Sequence, residues 1–121
     1  MPQILANTNT LLIGPPVKVD ALIRAWLPEL PSPVVEWRPS DNRPVPSLIA
    51  GTLILRDVAS VPPERQQWFE VRLRALGHRV RVVSTNVAPV WPVVQRGEFL
   101  ASLYYRLNVW YVNLTEPSAD L

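Results

Sequence analysis

The sequence predicts a three-layer α/β sandwich built on about five short, mainly parallel strands. Three observations point there. Short apolar runs such as Leu11-Leu12-Ile13 and Leu53-Ile54-Leu55 lack alternation, as strands buried on both faces of a parallel sheet require. Stretches with apolar residues at helical spacing separate those runs. The length of 121 residues and the hydrophobic share of 48% suit one small domain with a single core.

Residues 1–9 read as a polar lead-in. Thr10-Leu11-Leu12-Ile13 is the first strand, stopped by Gly14-Pro15-Pro16. From 17 to 27, Val19, Leu22, Ile23, Trp26 and Leu27 fall at helical spacing, and Pro28 ends that helix. Residues 28–46 hold six of the fourteen prolines. Within them Val34-Val35-Glu36-Trp37 makes one short strand near a sheet edge, where flanking prolines are tolerated. Residues 38–46 form a proline-rich loop leading to Gly51-Thr52-Leu53-Ile54-Leu55, expected as the central strand. Arg56 and Asp57 stand at its carboxyl end, where open α/β sheets bind ligands.

Ser60-Val61-Pro62-Pro63 starts a helix with proline at an early position. Phe69, Leu73 and Leu76 form its stripe, with Trp68, Val71 and Ala75 alongside, and Gly77 stops it. Val80-Arg81-Val82-Val83 is the next strand, ending in Ser84-Thr85-Asn86. Pro89 and Pro92 permit only a helical turn near 90–96. Residues 98–107 read as a helix with Phe99, Leu103 and Leu107 on one stripe, and Val109-Trp110-Tyr111-Val112 is the last strand. A frayed tail is expected over 115–121, and the whole of 1–121 as one domain.

Composition excludes several chemistries. There is no Cys, so disulfides, thiolate metal sites and cysteine nucleophiles are absent. A lone His78 beside Gly77 cannot build a histidine metal site and reads as an exposed turn residue. The net charge is +2 and the sequence pI about 9.5. The basic residues are eleven Arg and one Lys, dispersed without a dense block, so direct nucleic-acid binding is not expected. No apolar run approaches the ~20 residues that span a bilayer, and no signal peptide is seen, so no membrane partner and a cytoplasmic location are expected.

Three segments together resemble the AAA+ domain of sigma-54-dependent transcription activators, a P-loop NTPase core. Gly51-Thr52-Leu53-Ile54-Leu55, followed by Val61-Pro62 and Gln66, is similar to its central strand and next helix. Val80-Arg81-Val82-Val83-Ser84-Thr85-Asn86 resembles its sensor strand. Gly97-Glu98-Phe99 and Leu103-Tyr104-Tyr105-Arg106-Leu107-Asn108-Val109 resemble its arginine-finger segment.

The resemblance implies an ATPase, yet most functional positions differ. A P-loop needs G-x-x-x-x-G-K-[ST], whose glycines expose backbone donors and whose lysine neutralises phosphate. The aligned stretch is Gly14-Pro15-Pro16-Val17-Lys18-Val19-Asp20-Ala21. Gly14 is kept, Val19 replaces the second glycine, Asp20 stands at the lysine position, and Ala21 lacks the magnesium-binding hydroxyl. Lys18, two positions away, is the one substitute in reach. At the end of the implied central strand, Arg56 occupies the position of a magnesium-holding acid, and Asp57 that of the water-polarising acid. The two reversals together suggest an Arg56–Asp20 ion pair across the cleft. Thr85 and Asn86 match the sensor residues, or else cap a strand end. Of two arginine fingers, one is Leu100 and the other, Arg106, is kept, either reaching a neighbouring subunit or standing solvated at a helix end.

The resemblance also implies a long insertion carrying a G-A-F-T-G-A loop. Gly14 and Thr52 are only 38 positions apart, and no such motif occurs. A helical lid is expected to be missing. The reading that follows is a non-catalytic module without a cofactor or metal, acting in transcription-related regulation through protein contacts. Its partner is an intact AAA+ activator or a second copy, met through a face around Phe99, Tyr104, Tyr105 and Arg106. The alternatives are a weak ATPase rebuilt on Lys18 and Asp57, or a relic without a selected role.

Overall fold

The computed structural model describes residues 8–115. Strand β1 (Thr10–Ile13) leads into helix α1 (Pro16–Trp26). Strands β2 (Val34–Trp37) and β3 (Gly51–Leu55) follow, then α2 (Pro63–Leu76), β4 (Val80–Asn86), α3 (Trp91–Gln95), α4 (Ala101–Leu107) and β5 (Trp110–Asn113). The strands form one sheet in the order β2-β3-β4-β1-β5, and every neighbouring pair is parallel.

The unbroken apolar runs account for the layers. Alternate side chains of one strand point to opposite faces, so a run such as Leu11-Leu12-Ile13 fills both. Leu11, Ile13, Leu53, Leu55 and Val82 pack with Phe69, Leu73, Leu103 and Leu107 of α2 and α4. Leu12, Ile54 and Val83 pack on the other side with Val19, Ile23 and Trp26 of α1. Each such fully buried side chain contributes roughly 1.5–3 kcal/mol of transfer free energy. Trp110 of β5 stacks on Trp26 at 5.4 Å, which anchors that edge to α1.

The registers place the strand tips level. Ile13 pairs with Asn86, Leu55 with Ser84 and Trp37 with Leu55, so the carboxyl ends of β1, β2, β3 and β4 open on one side of the molecule.

Three expectations need correction, and a fourth is not tested. The strand expected as central, β3, lies one place in from the edge, with β4 in the middle, because β1 follows β4 in the order. The helix expected over 98–107 starts at Ala101: Leu100 has an extended backbone and its N–H is bonded by the Gln66 carboxamide at 2.8 Å. Trp68 and Val71 lie outside the buried stripe of α2, at 45% and 63% exposure. Their places on the inward face are taken by the polar Gln66 and Glu70. The tail expected to fray lies outside the described residues, Thr115 apart.

Candidate functional site

The cleft to examine lies at the level carboxyl tips, lined by Gly14, Asp20, Arg38, Arg56, Asp57, Thr85 and Asn86 among others. The fold therefore gathers all the expected cleft residues but two, Lys18 and Arg106.

Gly14 closes β1. Its N–H donates to the Asn86 carbonyl at 3.1 Å, and a Cβ there would come within 2.9 Å of the Leu114 Cβ. Close approach of Leu114 is thus a sufficient reason for this glycine, independent of any phosphate. At the start of α1, Pro15 and Pro16 have no N–H, and those of Lys18 and Val19 bond the Pro15 carbonyl at 3.0 and 3.1 Å. The turn keeps few donors for an anion. Lys18 is exposed and its ammonium reaches toward the Leu114 carbonyl at 3.5 Å, at the carboxyl tip of β5.

Arg56 follows β3 directly. Its N–H donates to the Trp37 carbonyl at 2.9 Å, extending the β2–β3 ladder and fixing where the side chain starts. The guanidinium pairs with the Asp20 carboxylate across the cleft, and its Nε lies 3.3 Å from Glu36 Oε2. Arg38 continues the chain of charges, 3.9 Å from Glu36 and 3.7 Å from Asp57. Burial alone lowers the Arg56 pKa; the hydrogen bond to Asp20 and the charges of Glu36 and Asp20 outweigh it and raise the pKa above the ordinary value. Asp57 has left-handed backbone at φ 52°, ψ 50°, and its carbonyl accepts the Ser60 N–H at 2.9 Å. Asp is among the few residues that adopt this turn readily.

Thr85 is buried in β4. Asn86 is consumed locally: its Oδ1 accepts the Ala59 N–H at 3.1 Å and its Nδ2 donates to the Ala88 carbonyl at 2.7 Å. It caps the strand end and holds the 3-10 turn Val58–Ser60 against it.

These groups leave a cavity of about 70 Å³, whereas small-molecule sites run to ~300 Å³ and above. Nucleotide and magnesium do not fit the residues present. The Arg56 guanidinium and the Asp20 carboxylate neutralise each other at the positions where the resemblance would put the metal-holding acid and the phosphate-binding lysine. Among the described residues no three His, Cys, Asp or Glu side chains group to hold a metal ion.

The expected interaction face is only partly a surface. Phe99 is 3% exposed and belongs to the core beside Leu103, so it is removed from that face. Tyr104 is largely buried under Trp91, with ring centroids 5.5 Å apart. Arg106 pairs with the buried Glu70, with Nη2 and Nε at 3.1 and 3.2 Å from Oε1, while about a third of its side chain stays exposed. Tyr105 at 61% exposure is what remains of that face, with Trp91 at 40% beside it.

Three buried polar residues escaped the sequence reading. Gln66 donates to the Val61 and Glu98 carbonyls at 2.8 and 3.0 Å while accepting from Leu100, so one carboxamide ties α2 to the segment before α4. Glu70 receives Arg106 and Arg74. Arg81 is 3% exposed and donates to the Thr8 carbonyl and the Thr10 hydroxyl at 2.7 and 3.0 Å; burial lowers its pKa to about 10.

A family model described as "Sigma-54 interaction domain" matches residues 6–116. Comparison with curated proteins gives no match. Three solved structures of NtrX from Brucella abortus share the fold. The one in complex with ADP has a TM-score of 0.76 and 21% identity, covering 93% of this chain and 34% of that one. The one in complex with ATP has 0.69, 18%, 93% and 35%, and a third has 0.65, 20%, 93% and 34%. The chain thus spans about a third of the length of those proteins, and its five-stranded parallel sheet matches an AAA+ core.

Proposed function

Since the chain belongs to the sigma-54 interaction domain family, we propose that it is a non-catalytic member that neither binds nor hydrolyses ATP and works through protein contacts in transcription-related regulation. The observation that carries this reading is the Arg56–Asp20 pair, joined by Glu36, in a cleft reduced to about 70 Å³. A triphosphate entering there would have to separate two paired charges, meet a carboxylate and displace the chain itself. Lys18, the one candidate substitute for the missing lysine, points to Leu114 instead. The weak-ATPase alternative therefore has little to build on.

The contact surface of this reading is Tyr105 with Trp91, whose rings lie 6.2 Å apart. Exposed Tyr and Trp are favoured anchors at interfaces. The partner is an intact AAA+ activator or a second copy of this chain.

Titration with ATP and magnesium by calorimetry tests the first part. No heat of binding at millimolar nucleotide is expected, and a micromolar Kd overturns the reading. For the second part, sedimentation of the chain alone and mixed with an intact sigma-54 activator is expected to give a complex that Tyr105→Ala with Trp91→Ala abolishes. A monomer in both samples removes the proposed partners.

A further inference from the structure

A second cavity lies far from the strand tips, at the amino-terminal end of β3 and β4. Its floor is Leu53, one wall is Trp68, Phe69 and Leu73 of α2, and Leu48 of the loop before β3 closes it. The volume is about 280 Å³, four times that of the cleft at the tips. That space lies just below the ~300 Å³ at which small-molecule sites begin, so it suits only a small ligand.

Most lining side chains are apolar, while polar atoms make up nearly half of the accessible wall. Phe69 and Leu73 are core residues, while Trp68 stands edge-on to Phe69 at 5.1 Å with nearly half its surface exposed. Arg72 is the only charged residue of the lining, and Ser47 the only hydroxyl. Arg72 is half-buried on the inward side of α2 and has no ion pair or hydrogen bond among the described residues. This distinguishes it from Arg56, Arg74, Arg81 and Arg106, all of which have partners on the same molecule. An unpaired guanidinium beside an apolar pocket complements a ligand with an apolar body and one anionic head. The guanidinium fork matches carboxylate geometry in particular.

We propose that this cavity is a binding site for a small apolar monocarboxylate, with its body against Leu48, Leu53 and Phe69 and its carboxylate on Arg72. The site is separate from the ion-paired cleft and holds whether or not the chain binds nucleotide. Trp68 at the rim reports occupancy.

The test uses the full chain and three probes of equal length: octanoate, octanol and octylammonium. Binding is measured by calorimetry and by NMR of the Trp68 indole N–H and the Leu48 and Leu53 methyls. Octanoate is expected to saturate, to shift these signals, and to bind at least ten-fold more tightly than either other probe. Arg72→Gln is expected to erase that preference and keep the folded spectrum. Should that variant not fold, the comparison of probe charges on the unaltered chain still decides. Equal binding of octanol and octanoate assigns the pocket to an uncharged group, such as an apolar side chain of another protein, and overturns the proposal. So does the absence of any shift at millimolar octanoate, or a shift confined to other residues.

Discussion

Breaking the Arg56–Asp20 pair gives a direct measure of what holds the strand tips closed. The perturbation is a double-mutant cycle with Asp20→Ala and Arg56→Met, the latter keeping most of the aliphatic stem. Two unit charges about 4 Å apart attract by roughly 4 kcal/mol at an effective dielectric of 20, and by about 1 kcal/mol in bulk water. The Arg56 side chain is 14% exposed and Asp20 44%, so the pair lies between these limits. Discounting for Asp20's access to solvent, its coupling is about 1–2 kcal/mol. Asp20→Ala leaves Arg56 its second partner, Glu36 at 3.3 Å, and should cost about 1 kcal/mol. Arg56→Met leaves Asp20 and Glu36 facing each other with no cation between, and should cost about 2–3 kcal/mol. The double variant should therefore be more stable than the sum of the two losses by the coupling term. Urea unfolding, read as a midpoint at constant slope, supplies each value. Additivity within about 0.5 kcal/mol would refute the pair as an energetic feature.

Three further outcomes follow from the buried polar groups. Gln66→Leu conserves volume but leaves the Val61 and Glu98 carbonyls and the Leu100 N–H without their partner, so denaturant unfolding should show a loss of about 2–4 kcal/mol. Arg106→Ala strips the buried Glu70 of its closer partner and leaves it with the exposed Arg74; a loss of about 2 kcal/mol is expected, and a neutral result would mean that Arg106 faces solvent. Arg81 carries its charge into burial with no acid beside it among the described residues, so Arg81→Met should be neutral or stabilising, whereas Arg81→Ala should cost about 2 kcal/mol through its cavity. Thermal unfolding followed by circular dichroism orders these variants.

The parts of the fold legible in sequence were those governed by local pattern. Leu11-Leu12-Ile13 and Leu53-Ile54-Leu55 announced strands covered on both faces, and Val19, Ile23 and Trp26 announced the buried stripe of α1. The Arg56–Asp20 contact was legible for another reason: two charges had reversed sign at positions that the family resemblance places across one cleft. Strand order was not legible, since periodicity records what an element buries and not which neighbour it has. Nor was the start of α4. Phe99 and Leu103 keep helical spacing, but Gln66, distant in sequence, takes the Leu100 N–H and holds residues 98–100 out of the helix. Glu70 carried no signal in the sequence, and its contact with Arg106 came only from the packing of α2 on α4. Phe99 read as an interface aromatic because sequence alone does not separate an anchor from a core side chain.

The chain of charges from Asp20 through Arg56, Glu36 and Arg38 to Asp57 has a thermodynamic consequence. A cleft closed by a bound ligand draws stability from the ligand's concentration, as RT ln(1 + [L]/Kd). Here the closing groups belong to α1, β2, the loop after it and the end of β3, so they are present at a concentration fixed by the fold. The ion pairs at the tips are thus intramolecular and form without a bound ligand.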